Sequence, residues 1–296
     1  MAPRDLLLAL VVILAWGVNF VVIKLGLHGV PPMLLGTLRF CLAAFPAILF
    51  VRRPQVSWRL LLAYGLTISL GQFAFLFSAM YVGMPAGLAS LVLQAQAFFT
   101  LAFAATFLGE KVRRASLVGL LVAALGLLLI GTEHGVTMTL AGFLLTLAAA
   151  AMWGLGNIVT KKIGKVDMLG LVVWGSLIPP IPFFVLSLLL EGPEQIATAL
   201  TSLSAGSIFA IVYLAFIATL VGYGIWSRLL SRYPAGQVAP FSLLVPVVGL
   251  TSAAVLLGEQ MTLQQEVGGV AVMLGLLINV FGGRWLDARS KMSSSA

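Results

Sequence analysis

The chain has 296 residues, of which 61% are hydrophobic and 9% are charged, whereas a soluble domain carries about 25% charged residues. So few polar groups cannot cover so much apolar surface, which excludes a soluble protein and predicts an integral membrane protein. The net charge of +8 does not indicate nucleic-acid binding, because the basic residues fall in short clusters between apolar runs and form no single patch.

Residues for metal or nucleophilic chemistry are scarce. The chain has one cysteine, Cys41, and two histidines, His28 and His134, which lie far apart in short loops. A membrane enzyme needs such groups clustered near one face, so we predict no catalytic residue, no metal and no cofactor. A channel with a ringed filter needs symmetric subunits or repeated charged loops, and neither is visible.

Apolar windows of about 20 residues, the length that crosses a bilayer, are the unit to count. Ten occur, and the connections between them are short. We predict ten transmembrane helices at Asp5–Gly26, Pro32–Val51, Leu60–Met80, Ala86–Leu108, Ala115–Ile130, Met138–Thr160, Met168–Leu190, Ala205–Leu230, Gln237–Leu257 and Leu263–Trp285.

The basic residues predict the orientation of these helices. If the N-terminus is cytoplasmic, 15 of the 17 Lys and Arg residues fall in cytoplasmic loops or tails, and the opposite loops hold none. The other two, Lys24 and Arg39, lie within apolar spans or at their ends. Because basic loops are retained in the cytoplasm, both termini are predicted to be cytoplasmic.

One stretch is written twice. Pro85-Ala86-Gly87 opens the fourth span and Gly109-Glu110 closes it, while Pro234-Ala235-Gly236 and Gly258-Glu259 do the same for the ninth. In the first and sixth spans, tryptophan, asparagine and lysine also recur in the same order (Trp16, Asn19 and Lys24; Trp153, Asn157 and Lys161). We therefore predict two repeats, 1–135 and 136–289, followed by a disordered tail, 290–296. Five spans per repeat is an odd number, so the second repeat is inverted, an arrangement that recurs in secondary transporters.

These motifs, in their order and spacing, resemble those of the EamA-type transporters of the drug/metabolite transporter superfamily, and most closely the bacterial broad-specificity and aromatic amino-acid exporters. The resemblance implies two inverted five-helix repeats around a central cavity in a bacterial inner membrane. It implies export of small metabolites, with amino acids the leading candidates, and the inverted halves predict alternating access. A ten-helix chain that encloses its own cavity need not pair, so a monomer is expected. Drug or cation efflux, or transport of another metabolite such as a nucleoside or sugar, is the alternative. No nucleic-acid partner is expected.

Polar groups inside the membrane are costly, so each one is a candidate for function. The predicted substrate-binding residues are Trp16, Asn19, Arg39, Gln72, Gln94, Trp153, Asn157 and Tyr223. For the two asparagines, helix–helix hydrogen bonding is an equal alternative. Arg39 is expected about 10 Å deep, from a rise of 1.5 Å per residue, where a cation suits a carboxylate. Its alternative is a side chain that reaches the interface or a carbonyl.

The acidic residues and the prolines indicate how the helices end and where they are interrupted. No Asp or Glu lies in the middle of a span, so the buried carboxylate relay of many proton-driven carriers is missing. Glu110 and Glu259, at the ends of spans, are predicted to cap helices or tie loops. Prolines at 179, 180 and 182, and at 240 and 246, are predicted to interrupt the seventh and ninth spans, either as hinges or as static kinks.

Overall fold

The computed structural model describes residues 1–133 and 137–293, with side chains described except at 235, 236 and 283–293. Its elements there are helices, with no strand in these ranges. Among the described residues, ten helical segments are long and apolar enough to cross a membrane, which confirms the predicted all-α architecture. We label them α1 to α10: Pro3–Leu27, Pro32–Leu49, Trp58–Tyr81, Ala86–Leu108, Arg114–Thr132, Leu140–Ile163, Met168–Leu190, Ala205–Arg232, Ala239–Leu257 and Leu263–Gly282.

Every predicted span overlaps one of these segments. Segment α10 belongs to a helix that continues to Ser293, so residues 290–293 of the predicted disordered tail have helical backbone, while 294–296 lie outside the described residues. A further short helix, Gly192–Thr201, follows α7 and buries Ile196 and Ala199 on one face.

The packing of the helices is symmetric between the two halves. Helix α1 packs on α8 and α9, and its counterpart α6 packs on α3 and α4; each of α2, α4 and α5 packs on its own counterpart, α7, α9 and α10. Exchanging the halves turns the α1–α8 and α1–α9 contacts into the α6–α3 and α6–α4 contacts, and it turns each contact between counterparts into itself. This is the contact pattern of a pseudo-two-fold pair of repeats, which agrees with the predicted duplication.

Helices α5 and α10 approach so closely that only glycine fits between them. A Cβ atom placed on Gly119 or Gly275 would lie 2.5 Å from the other residue's carbonyl oxygen. One on Gly126 would lie 2.5 Å from the carbonyl oxygen of Gly268, and one on Gly268 would lie 2.7 Å from that of Gly126. The two glycines on each helix are seven residues apart, so they lie on one face of that helix. Small residues at this spacing let two membrane helices pack backbone to backbone.

Irregular turns occur at corresponding places in the two halves. Helices α3 and α8 each contain a π-helical stretch, at Gly65–Gly71 and Tyr213–Val221. Helices α4 and α9 each contain a 3₁₀ stretch, at Leu93–Ala95 and Ala239–Leu244. Helix α7 is interrupted between Gly175 and Pro180, so the predicted proline breaks in the seventh and ninth spans are confirmed. Because π-helical turns are concentrated at functional sites, α3 and α8 are candidates for contributing to one.

Candidate functional site

A buried arginine marks the place where α2, α3 and α8 meet. The Arg39 side chain on α2 is only 2% exposed. Its guanidinium carbon lies 3.8 Å from the ring centroid of Phe73 and 5.2 Å from that of Phe40. A planar cation over an aromatic face is attracted by the ring electrons, so these rings hold the guanidinium inside the protein and away from the membrane surface.

The hydrogen bonds of Arg39 are incomplete. Its Nη2 donates to Oγ1 of Thr219 at 3.1 Å, and that hydroxyl donates to the carbonyl of Leu214 at 2.8 Å within the π-helical stretch of α8. The Nε and Nη1 groups have no partner. In the described part of the chain the ion pairs are Lys161–Glu110 and Arg232–Asp5, so Arg39 has no acid beside it. Buried N–H groups of a cation are costly when unpaired, and the site therefore favours an anion.

Two neutral acceptors lie on the adjacent helices. Asn19 on α1 and Gln72 on α3 are 8% and 3% exposed, and their side-chain oxygens have no partner. Helices α1 and α2 pack on each other, and both pack on α3 and on α8. Three of the predicted site residues therefore leave buried hydrogen-bonding capacity unused within one group of four helices.

Aromatic side chains cover the α1–α8 contact. The indole Nε1 of Trp16 donates to the carbonyl of Ala218 at 2.9 Å. The Trp16 ring centroid lies 5.2 Å from that of Tyr223 and 5.4 Å from that of Trp226. Gly222 permits this packing, because a Cβ atom there would lie 2.5 Å from the indole nitrogen. The carbonyl that Trp16 bonds belongs to the residue next to Thr219, the partner of Arg39, which connects this aromatic group with the arginine.

The other three predicted residues lie along α4 and α6. Asn157 donates from Nδ2 to Oε1 of Gln96 and to Oγ1 of Thr100, both at 3.0 Å, which is the helix–helix bonding named as its alternative. Gln94 is half-buried in the 3₁₀ stretch of α4. Trp153 is half-buried and packs against two apolar clusters, one of which contains Leu61 and Tyr64. None of the contacts described for this group reaches Arg39.

Thr219 is the residue that the sequence did not single out. A threonine inside an apolar span usually bonds the carbonyl one turn earlier, as Thr146 does with Gly142 at 2.8 Å. Thr219 differs from such threonines only in its π-helical backbone and its contact with Arg39, and the sequence has no signature for either.

Carboxylates cap the N-termini of helices at one end of the bundle. This end carries Glu133, Glu191 and Glu259, and we call it the acidic end. Glu191 accepts from the backbone N–H groups of Met33 and Leu34 at 2.6 and 3.1 Å. Glu259 accepts from those of Ala86 and Gly87 at 2.8 and 2.9 Å. Negative charge is favoured at the start of a helix, where N–H groups are unpaired. The prediction that Glu259 caps a helix is confirmed.

Metal chemistry has no support in this part of the chain. Within 1–133 and 137–293, no group of three or more His, Cys, Asp or Glu side chains that could hold a metal ion was found. His134 lies outside the described residues.

The EamA-like transporter family matches this chain twice, over residues 4–132 and again over 140–281. The chain belongs to the EamA-like transporter family. Two matches of one family model in one chain confirm the internal duplication, and each contains five of the ten spans. The EamA chain is thus a multi-pass membrane transporter, and the prediction that it is a transporter and not an enzyme is confirmed.

Individual relatives agree with this assignment. A protein of Salmonella typhimurium called a probable amino-acid metabolite efflux pump is 56% identical over 290 residues, which cover 96% of this chain and 97% of that protein. An Escherichia coli protein of the same description is 54% identical, with 97% and 98% covered. A crystal structure at 19% identity has a TM-score of 0.64, covering 97% of this chain and 99% of that one, a likeness that concerns the fold alone.

Proposed function

We propose that this EamA-family protein is a secondary transporter that exports amino acids or close amino-acid derivatives by alternating access, and that Arg39 binds the substrate carboxylate. The observation that carries the proposal is a guanidinium 2% exposed, with two nitrogens unpartnered and no acid beside it. A carboxylate matches the forked donors of arginine and neutralises its charge. The description of the two bacterial relatives as probable amino-acid metabolite efflux pumps supports the same substrate class.

The neighbouring groups suit the rest of an amino acid. The unpaired oxygens of Asn19 and Gln72 accept hydrogen bonds from the substrate ammonium, and Trp16 and Tyr223 supply apolar ring surface. These four residues and Arg39 form the proposed site. For Gln94, Trp153 and Asn157 we instead propose a structural role between α4 and α6, because Asn157 is already bonded to Gln96 and Thr100.

The alternatives fit this site less well. A cationic drug meets a fixed positive charge in place of the embedded acid that it requires. An uncharged nucleoside or sugar leaves Arg39 without a counter-ion. Both classes belong in the test as competitors.

The test is counterflow in proteoliposomes with a panel of amino acids. For an amino acid that exchanges, we expect its methyl ester, which lacks the carboxylate, to compete at least about 10-fold less well, since a hydrogen bond to a charged group contributes about 1.5–3 kcal/mol. The N-acetyl derivative, which lacks the ammonium, should lose less. A methyl ester that competes as well as the free acid, or exchange only of a quaternary cation or a nucleoside, contradicts the proposal.

We further propose that the chain acts as a monomer in a bacterial inner membrane, with both termini cytoplasmic. The distribution of basic loops supports this orientation. It is tested by single cysteines at Glu194 and Lys165 in a Cys41→Ser background, using an impermeant maleimide on intact cells. Position 194 should react and position 165 should not; the reverse pattern contradicts the orientation. Light scattering of the purified protein in detergent tests the monomer.

A further inference from the structure

The two copies of the repeated stretch are packed unequally. Residues 88–93, near the start of α4, are all buried, whereas in the corresponding 237–242 only Val238 is buried. Ser90 has no exposed surface, while its counterpart Ala239 is exposed. The start of α4 lies at the acidic end. The start of α9 lies at the opposite end, which carries Arg52, Lys111 and Lys161 and which we call the basic end. The bundle is therefore closely packed around α4 at its acidic end and looser around α9 at its basic end.

The Glu259 contact lies at the acidic end. Helix α9 ends at Gly258, whose φ of +66° reverses the chain, and its N–H bonds the carbonyl of Ala253. This C-terminal turn places Glu259 over the start of α4, where it accepts from Ala86 and Gly87. The contact joins the second repeat to the first. We call it the Glu259 cap.

Glu110 has the same backbone setting but a different partner. Gly109 also has a φ of +66°, and its N–H bonds the carbonyl of Ala104. The Glu110 carboxylate, however, lies 2.5 and 2.7 Å from Nζ of Lys161. The motif counterpart of that lysine, Lys24, donates to the carbonyl of Met80 at 3.3 Å. The two glutamates thus have equivalent positions in the sequence repeat and unequal contacts.

We propose that Glu259 and Glu110 are a reciprocal pair of gating residues, each capping the start of the repeated helix of the other half in one of the two states of transport. In the state described, Glu259 holds the start of α4 and Glu110 rests on Lys161. In the opposite state Glu110 accepts from the backbone N–H groups of Ala235 and Gly236, in the short helix Ala235–Val238 that leads into α9, and Glu259 pairs with Lys24. The two caps lie at opposite ends of α4 and α9, so that one end closes as the other opens.

The relative strengths of the Glu259 cap and the Lys161–Glu110 pair predict which state each glutamate substitution weakens. A carboxylate that accepts two backbone N–H groups at a helix start makes charge-assisted bonds in a part-buried place. The Lys161–Glu110 pair has side chains 54% and 43% exposed, and exposed pairs contribute little. Glu259→Gln therefore weakens mainly the present state, and Glu110→Gln weakens mainly the opposite one.

The experiment measures maleimide labelling of single cysteines in the full chain, with Cys41→Ser as background. Ser90→Cys reports opening at the acidic end, and Ala239→Cys reports opening at the basic end. We expect Glu259→Gln to raise labelling at position 90 by roughly tenfold, the effect of losing about one hydrogen bond to a charged group, and to lower labelling at 239. Glu110→Gln should change both rates in the opposite directions, and the double variant should return towards the parent.

The matched control is Glu194→Gln, which removes an exposed acid in the short helix Gly192–Thr201 of the acidic end and should change neither rate. A role in stability alone predicts that both glutamate variants raise labelling at both positions. That outcome, or changes of the same sign in both variants, overturns the proposal. Because labelling needs no substrate, this result is independent of the amino-acid assignment, which the counterflow panel tests.

Discussion

Replacing Arg39 by methionine tests two effects of the buried cation separately, its effect on the free energy of unfolding and its effect on substrate binding. Methionine retains most of the volume but removes the charge and the unpartnered Nε and Nη1 groups. Burying a charge without a counter-ion costs about 3–5 kcal/mol. Against this, the ring contact with Phe73 contributes about 0.5–2 kcal/mol, and the bond to Thr219 about 1.5–3 kcal/mol. The midpoints of these ranges leave about 0.5 kcal/mol in favour of the variant. We therefore expect the ligand-free Arg39→Met protein to be slightly more stable, by about 1–2 °C in Tm.

Substrate binding should change in the opposite sense. The two free nitrogens of Arg39 are proposed to bond the carboxylate, and each such bond contributes about 1.5–3 kcal/mol. Their loss weakens binding at least about 100-fold, since each 1.4 kcal/mol is a factor of ten. Thermal unfolding in detergent, with and without a transported amino acid, measures both quantities in one assay. The shift in Tm with amino acid should disappear while the Tm without it rises.

Arg53→Met is the matched control. The guanidinium carbon of Arg53 also lies over an aromatic ring, 4.0 Å from the centroid of Trp58, but the side chain is exposed. Its replacement should leave the amino-acid response intact. If Arg39→Met instead lowers stability by about 2–5 kcal/mol, the usual cost of truncating a large packed side chain, and the amino-acid response survives, Arg39 is structural and the site is misassigned.

Three further substitutions test neighbouring features. Asn157→Ala should lower the free energy of unfolding by about 0.5–2 kcal/mol, because it removes two interhelical hydrogen bonds. Asn19→Ala should leave the free energy of unfolding unchanged and weaken the amino-acid response. Equal losses of stability in a melting experiment contradict this division. Gly222→Ala should cost about 1–3 kcal/mol and shift the tryptophan emission, because the new Cβ meets Trp16; unchanged fluorescence contradicts the packing. Gly258→Ala should cost about 1 kcal/mol through its positive φ alone, since the space around it is open; a larger loss of stability contradicts that account.

The architecture was predictable because a bilayer imposes it. Ten apolar windows, a repeated Pro-Ala-Gly and Gly-Glu pair, and five spans per repeat leave few other folds. Prolines at 179 and 180 mark the break in α7, since proline cannot donate within a helix. The cap at Glu259 follows from the same logic, because a carboxylate just past one helix suits the unpaired N–H groups of another.

The roles of single polar residues were less predictable. Asn19 and Asn157 occupy similar places in the two copies, three and four residues after the tryptophan, yet Asn157 bonds Gln96 and Thr100 while the oxygen of Asn19 has no partner. A shift of one residue turns a side chain by about 100° around a helix, so a similar motif does not place both asparagines in the same surroundings. The π-helical stretch that carries Thr219 has no sequence signature, so this contact of Arg39 was not predicted.

The glycine contact between α5 and α10 limits how the two halves can move. Backbones that meet at Gly119 and Gly275, and again at Gly126 and Gly268, leave no room for lipid or side chains to enter. A sideways separation of the halves along this line would open an empty gap within the hydrocarbon. The last helices of the two repeats are therefore expected to stay together throughout the cycle and to act as a common pivot, about which the remaining eight spans tilt.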